Sequence, residues 1–245
     1  MREWISGRNP VYEVLRARRR RCFNLQVADN AQERGRLAEI LQLASAEKLP
    51  IERVPRGRLQ SFGDGNQGVA LETDGYPYAD LADILEVAEE RREPAFILIL
   101  DALQDPQNLG TLLRSAEAVG VHGVLLPLRH TAMVTPAVVN ASSGASEHLR
   151  VAQANLAQAI QTLKVRDIWV VGLEASPEAM LPDQVRLDGP LALVVGSEGA
   201  GMRHLVKESC DVLLRLPMRG QVASLNAAVA GSIALYMIWQ KRAFL

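Results

Sequence analysis

Cysteine is nearly absent: Cys22 and Cys210 stand far apart in a chain of 245 residues, which excludes a disulfide framework and a thiolate metal cage. The four histidines, His122, His130, His148 and His204, are scattered without metal-ligand spacing, so no metal is expected. No apolar run reaches the ~18–20 residues needed to cross a bilayer, so a soluble chain with no membrane partner is expected. Aromatics are only 4% and Gly and Pro follow no period, which excludes a fibrous architecture. Met1 to Gly7 lack the basic-then-apolar order of a secretory signal, and with the sparse cysteines this points to a reducing cytoplasm. Lysine is scarce as well. It supplies four of 27 basic residues, so the positive charge rests on arginine, whose planar fork suits phosphate and stacks on bases.

What remains is a chain 48% hydrophobic, long enough for one substantial core or two modest ones. Its formal net charge of −1 conceals a division: residues 1–60 carry 13 Lys or Arg against 7 Asp or Glu, and the rest carry 14 against 21. Arg16 and the run Arg18–Arg21 concentrate the excess. Such a patch reads either as a nucleic-acid surface or as a solvated helix end.

After Pro10, Val11 and Leu15 give a short helical stripe, and Phe23–Val27 alternates as a strand does. Leu37, Ile40, Leu41 and Leu43 mark a helix, Leu49–Val54 a second strand, and a turn-rich Gly63–Gly68 leads into Val69–Leu71. This is a small α/β domain over residues 1–75. A charged helix over 80–91, stopped by Glu93-Pro94, makes 76–94 a linker. From 95 to 245, apolar runs at 96–100, 123–126, 168–171, 191–195 and 212–216 alternate with helices near 109–119, 155–164, 201–208 and 224–240. Continuous apolar strands imply a mostly parallel sheet covered on both faces, hence a second α/β domain.

Ligands of open parallel sheets gather beyond the carboxyl ends of the strands. Three loops there are unusual: Asp101–Gly110 with Arg114 on the helix that follows, Gly196-Ser-Glu-Gly-Ala-Gly201, and Leu216–Asn226 opening the last helix. The glycine loop has the spacing of a phosphate cradle, but Met202 stands where the phosphate-binding lysine would be, and Glu198 would repel a polyphosphate. A cationic ligand such as a sulfonium suits it better. Each polar residue also has a plainer reading: Asn108 and Ser224 as helix N-caps, Arg114 as a surface arginine, Glu198 as a charge favouring a helix start.

Asn108-Leu-Gly-Thr-Leu-Leu-Arg114 with Gly120, then Gly196-Ser-Glu198-Gly199-Ala-Gly201, then Leu216-Pro-Met218 with Ser224-Leu-Asn226 resemble, in order and spacing, the three motifs of the SPOUT-class RNA ribose methyltransferases, in the TrmH/RlmB branch. The resemblance implies an α/β trefoil-knot catalytic domain preceded by a small ribosomal-protein-like RNA-binding domain, and a homodimer with the final helix at its interface. It implies S-adenosylmethionine as methyl donor, held by Gly196, Ser197, Glu198 and Gly199, by Leu216, Pro217 and Met218, and by Val222, Ser224 and Leu225. It implies an RNA partner, nearest to the members that methylate a guanosine 2′-hydroxyl in 23S rRNA, with contacts expected from Arg8, Arg16, Arg18, Arg19, Arg20, Arg21 and Gln67. Relatives often carry His-Gln-Gly where this chain has Asn66-Gln67-Gly68, so a contact from that histidine has no counterpart here.

Transfer from a sulfonium to a ribose hydroxyl needs alignment, a route for the proton and support for the developing alkoxide, and no metal. Asn108, Arg114, Glu198, Ser224 and Asn226 form the expected catalytic set. A guanidinium has no acceptor lone pair, so Arg114 is expected on phosphate and alkoxide and Glu198 or a water on the proton. The alternatives are a tRNA or antibiotic-resistance methyltransferase and a non-catalytic RNA-binding assembly factor.

Overall fold

The computed structural model describes residues 2–222 and 224–243. Met1, Ala223, Phe244 and Leu245 lie outside the described residues, Met1 in the expected RNA-binding domain, Ala223 within the expected donor loop and the last two in the expected catalytic domain. In chain order the elements begin β1 (Arg2–Ser6), α1 (Arg8–Ala17), β2 (Cys22–Ala28), α2 (Arg36–Ala46), β3 (Ile51–Val54) and β4 (Val69–Asp74). They continue with α3 (Leu81–Arg91), β5 (Phe96–Leu100), α4 (Pro106–Ala118), β6 (Gly123–Pro127), α5 (Pro136–Ala141) and β7 (Arg150–Ala154). The chain ends with α6 (Leu156–Val165), β8 (Trp169–Leu173), β9 (Leu191–Val195), α7 (His204–Ser209), β10 (Val212–Leu214) and α8 (Ala227–Ala243).

Two units form. Met1–Pro77 joins Met133–His148 in the first, and Tyr78–Ala132 joins Leu149–Leu245 in the second. The stretch 133–148, read from sequence as part of the catalytic domain, thus packs with the N-terminal residues, where α5 lies on β1. The stretch read as a linker holds α3, which opens on an Asp80/Asp83 capping box and buries Ile84 and Leu85 in the second unit's core.

The first unit's sheet has the order β1-β4-β2-β3. β2 and β3 run parallel because α2 connects them, whereas β4 is antiparallel to both its neighbours. Val11, Val14 and Leu15 of α1 are buried, as are Leu37 and Ile40 of α2 and Leu25 and Val27 of β2, so the apolar periodicity of 3.6 and 2 meets in one core. At its edge lies a buried charge cluster. Arg20 is held bidentately by Glu147, Nε and one terminal nitrogen each donating at 2.8 Å, and also donates to Glu3. Burial by itself lowers the Arg20 pKa, yet pairing with Glu147 and Glu3 outweighs it and holds the guanidinium above its ordinary value. The Tyr76 hydroxyl closes the cluster by donating to the Ser146 carbonyl at 3.0 Å.

The second unit's sheet, β10-β8-β9-β5-β6-β7, is parallel throughout. Ile97, Ile99, Ala192, Val194 and Val170 turn to one face and pack on Ile84 of α3, Leu156, Ile160 and Leu163 of α6 and Val206 of α7. On the other face α4 and α8 lie together. Their approach is close at Gly231, where a Cβ would come within 2.6 Å of Leu112 and 3.2 Å of Val195, and the Ser115 and Ser232 hydroxyls meet at 2.8 Å. Burial on both faces is why these strands read as unbroken apolar runs.

Substituting Glu147→Gln takes from a buried guanidinium the carboxylate that holds it bidentately, leaving Glu3 alone to balance it, and the first unit should lose about 3–5 kcal/mol. Urea denaturation followed by signals from both units should show the loss confined to one transition, and an unchanged midpoint would refute this role for Glu147.

Candidate active site

β9 comes late in the chain yet inserts between β8 and β5. This puts three strand ends and the entry to α8 around one cavity of about 290 Å³, the place where open parallel sheets hold ligands. Its lining comes from Leu173–Ala175 after β8, Val195–Gly201 after β9, and Leu216, Met218, Ser224, Leu225, Ala227 and Ala230. Eight of the ten residues expected around the donor are therefore present: Gly196, Ser197, Glu198, Gly199, Leu216, Met218, Ser224 and Leu225. Pro217 and Val222 are exposed and are not among the described residues that line it. Glu174 was not legible as a site residue; the signal was its place at the end of an apolar strand.

The glycine loop closes on itself. Ser197 N–H donates to the Gly201 carbonyl and Gly201 N–H to the Ser197 carbonyl, both at 3.0 Å. A Cβ at Gly196 would sit 2.3 Å from Met202 N and the Gly201 carbonyl carbon, so only glycine permits the turn. Asp101, wholly buried at the end of β5, fastens the far side: its carboxylate accepts the Arg203 N–H and the Arg203 Nε–H, each at 2.7 Å. Lys207 donates to Glu174 at 3.2 Å.

Three of the expected catalytic residues meet at the rim. The Asn108 Nδ2 donates to Glu198 Oε1 at 3.2 Å, the Asn226 Nδ2 donates to Asn108 Oδ1 at 3.1 Å, and the Asn226 Nδ2 also donates to Glu198 Oε1. The orientation of Asn226 is set by α8. Its Oδ1 accepts the N–H groups of Ala228 and Val229 at 2.9 and 3.1 Å, so the NH₂ can only face the carboxylate. Asn226, not Ser224, is thus the N-cap of α8. Likewise Asp105 caps α4, accepting from Gln107 N–H and Asn108 N–H, with Pro106 in the first turn. Capping by Asp105 releases the Asn108 side chain for the rim. Ser224 lines the cavity, while Arg114 lies exposed on α4 and does not.

Both thiols are unsuited to nucleophilic work: burial pushes Cys22 and Cys210 up to about 12. His122 is structural, its Nδ1 accepting the Phe96 N–H at 2.9 Å, and burial keeps its pKa below the ordinary value. Among the described residues no group of three His, Cys, Asp or Glu side chains could hold a metal ion, and no helix is long and apolar enough to cross a membrane.

The residues expected on RNA divide. Arg20 is buried in the Glu147 cluster and has no surface to offer, a correction that follows from the countercharges that draw it inward. Arg19 donates to the carbonyls of Glu147 and Pro77 and to the Tyr76 hydroxyl. Arg16 and Arg18 are exposed but paired with Glu13 and Glu47, and Arg21 lies over the Phe23 ring. Arg8 and Gln67 lie together on a cleft of the first unit.

Comparison with known proteins finds two matching families. Residues 95–236 match the SpoU rRNA methylase family, and residues 4–79 match the RNA 2′-O ribose methyltransferase substrate-binding family. A Bacillus subtilis (strain 168) protein whose name places it among TrmH family tRNA/rRNA methyltransferases is 44% identical over 244 residues, covering 98% of this chain and 96% of its own. The crystal structure of the SpoU methyltransferase AviRb from Streptomyces viridochromogenes in complex with AdoMet superposes with a TM-score of 0.81 at 22% identity, covering 98% of this chain and 90% of that one. The crystal structure of an RNA 2′-O ribose methyltransferase superposes with a TM-score of 0.78 at 25% identity, covering 100% of this chain and 90% of that one. The likeness shows the fold: a small N-terminal domain and a C-terminal SPOUT domain of the α/β-knot class.

Replacing Asp101 by Asn removes the charge from the bonds that fasten the glycine loop. The free energy of local opening at 196–203 should fall by about 1–3 kcal/mol, seen as faster amide hydrogen exchange there and not in β6 or β7; unaltered exchange would remove Asp101 from this role.

Proposed function

The chain belongs to the SpoU rRNA methylase family, and we propose that it transfers a methyl group from S-adenosylmethionine to a ribose 2′-hydroxyl, that of a guanosine in 23S rRNA. The observation that carries the reading is the make-up of the cavity. Among the described residues that line it are two carboxylates, Glu198 and the Lys207-paired Glu174, and no basic side chain. Such a lining rejects polyphosphate nucleotides and accepts a cation. Leu173, Val195, Leu216 and Leu225 give apolar walls for a nucleoside ring, and the turn at Gly196, closed to any Cβ, leaves backbone polar groups for ribose and base. These residues fit S-adenosylmethionine. When bound, it supplies a methyl carbon made electrophilic by a sulfonium that departs as a neutral thioether.

The protein's own part follows from the rim. Asn226, locked by the α8 N-terminus, and Asn108 hold Glu198 by one carboxylate oxygen. The carboxylate supplies the acceptor lone pairs that a guanidinium lacks, so Glu198, directly or through a water, takes the 2′-hydroxyl proton. Arg114 binds the target phosphate and supports the alkoxide charge, and Ser224 orients ribose. The first unit selects the RNA, in the reducing cytoplasm where such substrates reside.

The apolar residues Val229, Ile233, Tyr236 and Trp239 recur along one face of α8 and all are exposed. A row of this kind favours the homodimer reading, with α8 against its counterpart. Ile233→Asp should shift the chain from dimer to monomer in sedimentation velocity; a wild-type monomer at micromolar concentration would overturn it.

The activity is tested by tritium transfer from S-adenosylmethionine to unmethylated 23S rRNA, 16S rRNA and tRNA, with the product nucleoside identified. Incorporation should appear in 23S rRNA as 2′-O-methylguanosine, and Glu198→Gln should lower kcat by about 10²–10⁴-fold. Equal transfer to tRNA would overturn the 23S assignment, and saturable RNA binding without transfer would favour the assembly-factor reading.

A further inference from the structure

The arginine run that dominates the N-terminal sequence is largely satisfied inside its own unit, by Glu13, Glu47, Glu147 and backbone carbonyls. A different set of arginines is not. Beyond the carboxyl ends of β2 and β3, the first unit opens a cleft of about 450 Å³ into which Arg8, Arg34 and Arg56 converge with the carboxamides of Asn30, Gln32 and Gln67. Among the described side chains none that lines it is a carboxylate, and none is ion-paired with Arg34 or Arg56. We propose that this cleft is the site at which an unpaired nucleotide of the RNA substrate is gripped, Arg34 and Arg56 neutralising its phosphodiester and the carboxamides meeting its base. The assignment rests on reading the chain as an RNA methyltransferase and adds where the RNA is held.

The chemistry and the construction of the site both favour this occupant. Guanidinium forks pair bidentately with phosphate oxygens, whereas carboxamides, with a donor and an acceptor side by side, match base edges that only an unpaired nucleotide exposes. The volume is that of a small-ligand pocket rather than of a duplex groove. One wall is built rigidly. Gln67 has a left-handed backbone, φ +49°, a conformation unusual for a residue with a side chain. Arg8 holds it at two points, its N–H donating to Gln67 Oε1 at 3.0 Å and its Nε–H to the Gln67 carbonyl at 3.3 Å. With its oxygen so engaged, the Gln67 carboxamide presents its NH₂ as the donor. Asn66 braces the same turn, its Oδ1 accepting the Gly68 N–H at 2.9 Å and its Nδ2 donating to the Gly63 carbonyl at 2.6 Å. The residue that stands in place of the relatives' histidine is therefore a brace of the wall.

The test is filter binding of deproteinised 23S rRNA, without methyl donor, across a potassium chloride series. It compares the parent chain with the doubles Arg34→Gln/Arg56→Gln and Arg16→Gln/Arg18→Gln. All four are exposed positions, and thermal melting of both doubles should match the parent. The first double should bind at least about tenfold more weakly, and its slope of log affinity against log salt should be shallower by about 0.7, the value for one phosphate neutralised on a single strand. The second should weaken binding less than about threefold, consistent with arginines already paired. Arg34→Lys/Arg56→Lys keeps both charges and should retain most of the parent's salt slope. Parent-like binding and slope in Arg34→Gln/Arg56→Gln would overturn this assignment alone, most plainly if Arg16→Gln/Arg18→Gln lost the affinity instead. Failure of the parent chain to bind RNA would overturn it together with the reading on which it rests.

Discussion

The carboxamide of Asn226 is the constraint on which the catalytic end of the molecule depends. Its oxygen is committed to two N–H groups at the start of α8, so its nitrogen is committed to Asn108 and Glu198. A helix cap alone contributes only about 1 kcal/mol, and an exposed amide–carboxylate pair contributes little more. Joined in one side chain, the two bonds tie the entry of the last helix to the loop after β9 and the first turn of α4. Those segments are adjacent because β9 inserts between β8 and β5, and Asp101 keeps the loop in register from below. The rim is thus held by geometry rather than by stored stability, and the carboxylate is oriented while still reachable by solvent and substrate.

The first unit solves the opposite problem. There the charge is buried, and what matters is that Arg20 never meets water without Glu147. The partner comes from residues 133–148, far away in sequence, so completion of this unit requires chain that follows β6. A charged cluster of this type adds little net stability over an apolar substitute but is severe when one member is lost. Its consequence for function is subtractive. By drawing arginine inward, it leaves the surface charge of the unit to residues that the density of the sequence run does not single out.

How far the sequence disclosed this differs by level. Five of the six strands of the second sheet were legible because burial on both faces leaves unbroken apolar runs, and the three motif loops were legible because they follow strand ends. β1, β7 and α5 were not: Arg2–Ser6 and Arg150–Ala154 are short edge strands with polar residues, and Pro136–Ala141 is barely more than one turn. Nor does any local pattern show that 133–148 packs with the N-terminal residues, since that is decided by tertiary partners. Arg16 and Arg18–Arg21 displayed their charge but not their countercharges. Glu174 lay just past a strand end read two residues short. The donor's identity came from the resemblance of the motifs, and the cavity's lining supplies the physical reason for it.

That lining and the cleft of the first unit form a pair of complementary filters. Among the described residues, the first is lined by Glu174 and Glu198 and no basic side chain, the second by Arg8, Arg34 and Arg56 and no carboxylate. A sulfonium nucleoside and an RNA strand share adenine, ribose and much of their hydrogen-bonding capacity, so shape and polar contacts discriminate weakly between them. Net charge discriminates strongly, because the same carboxylate that attracts one repels the other, and each site rejects the wrong ligand without any additional contact. Concentrating nearly all the basic charge in arginine serves the same end. A guanidinium stays protonated at any cellular pH, so a cleft lined by Arg8, Arg34 and Arg56 keeps its sign under conditions in which a titrating side chain would lose it.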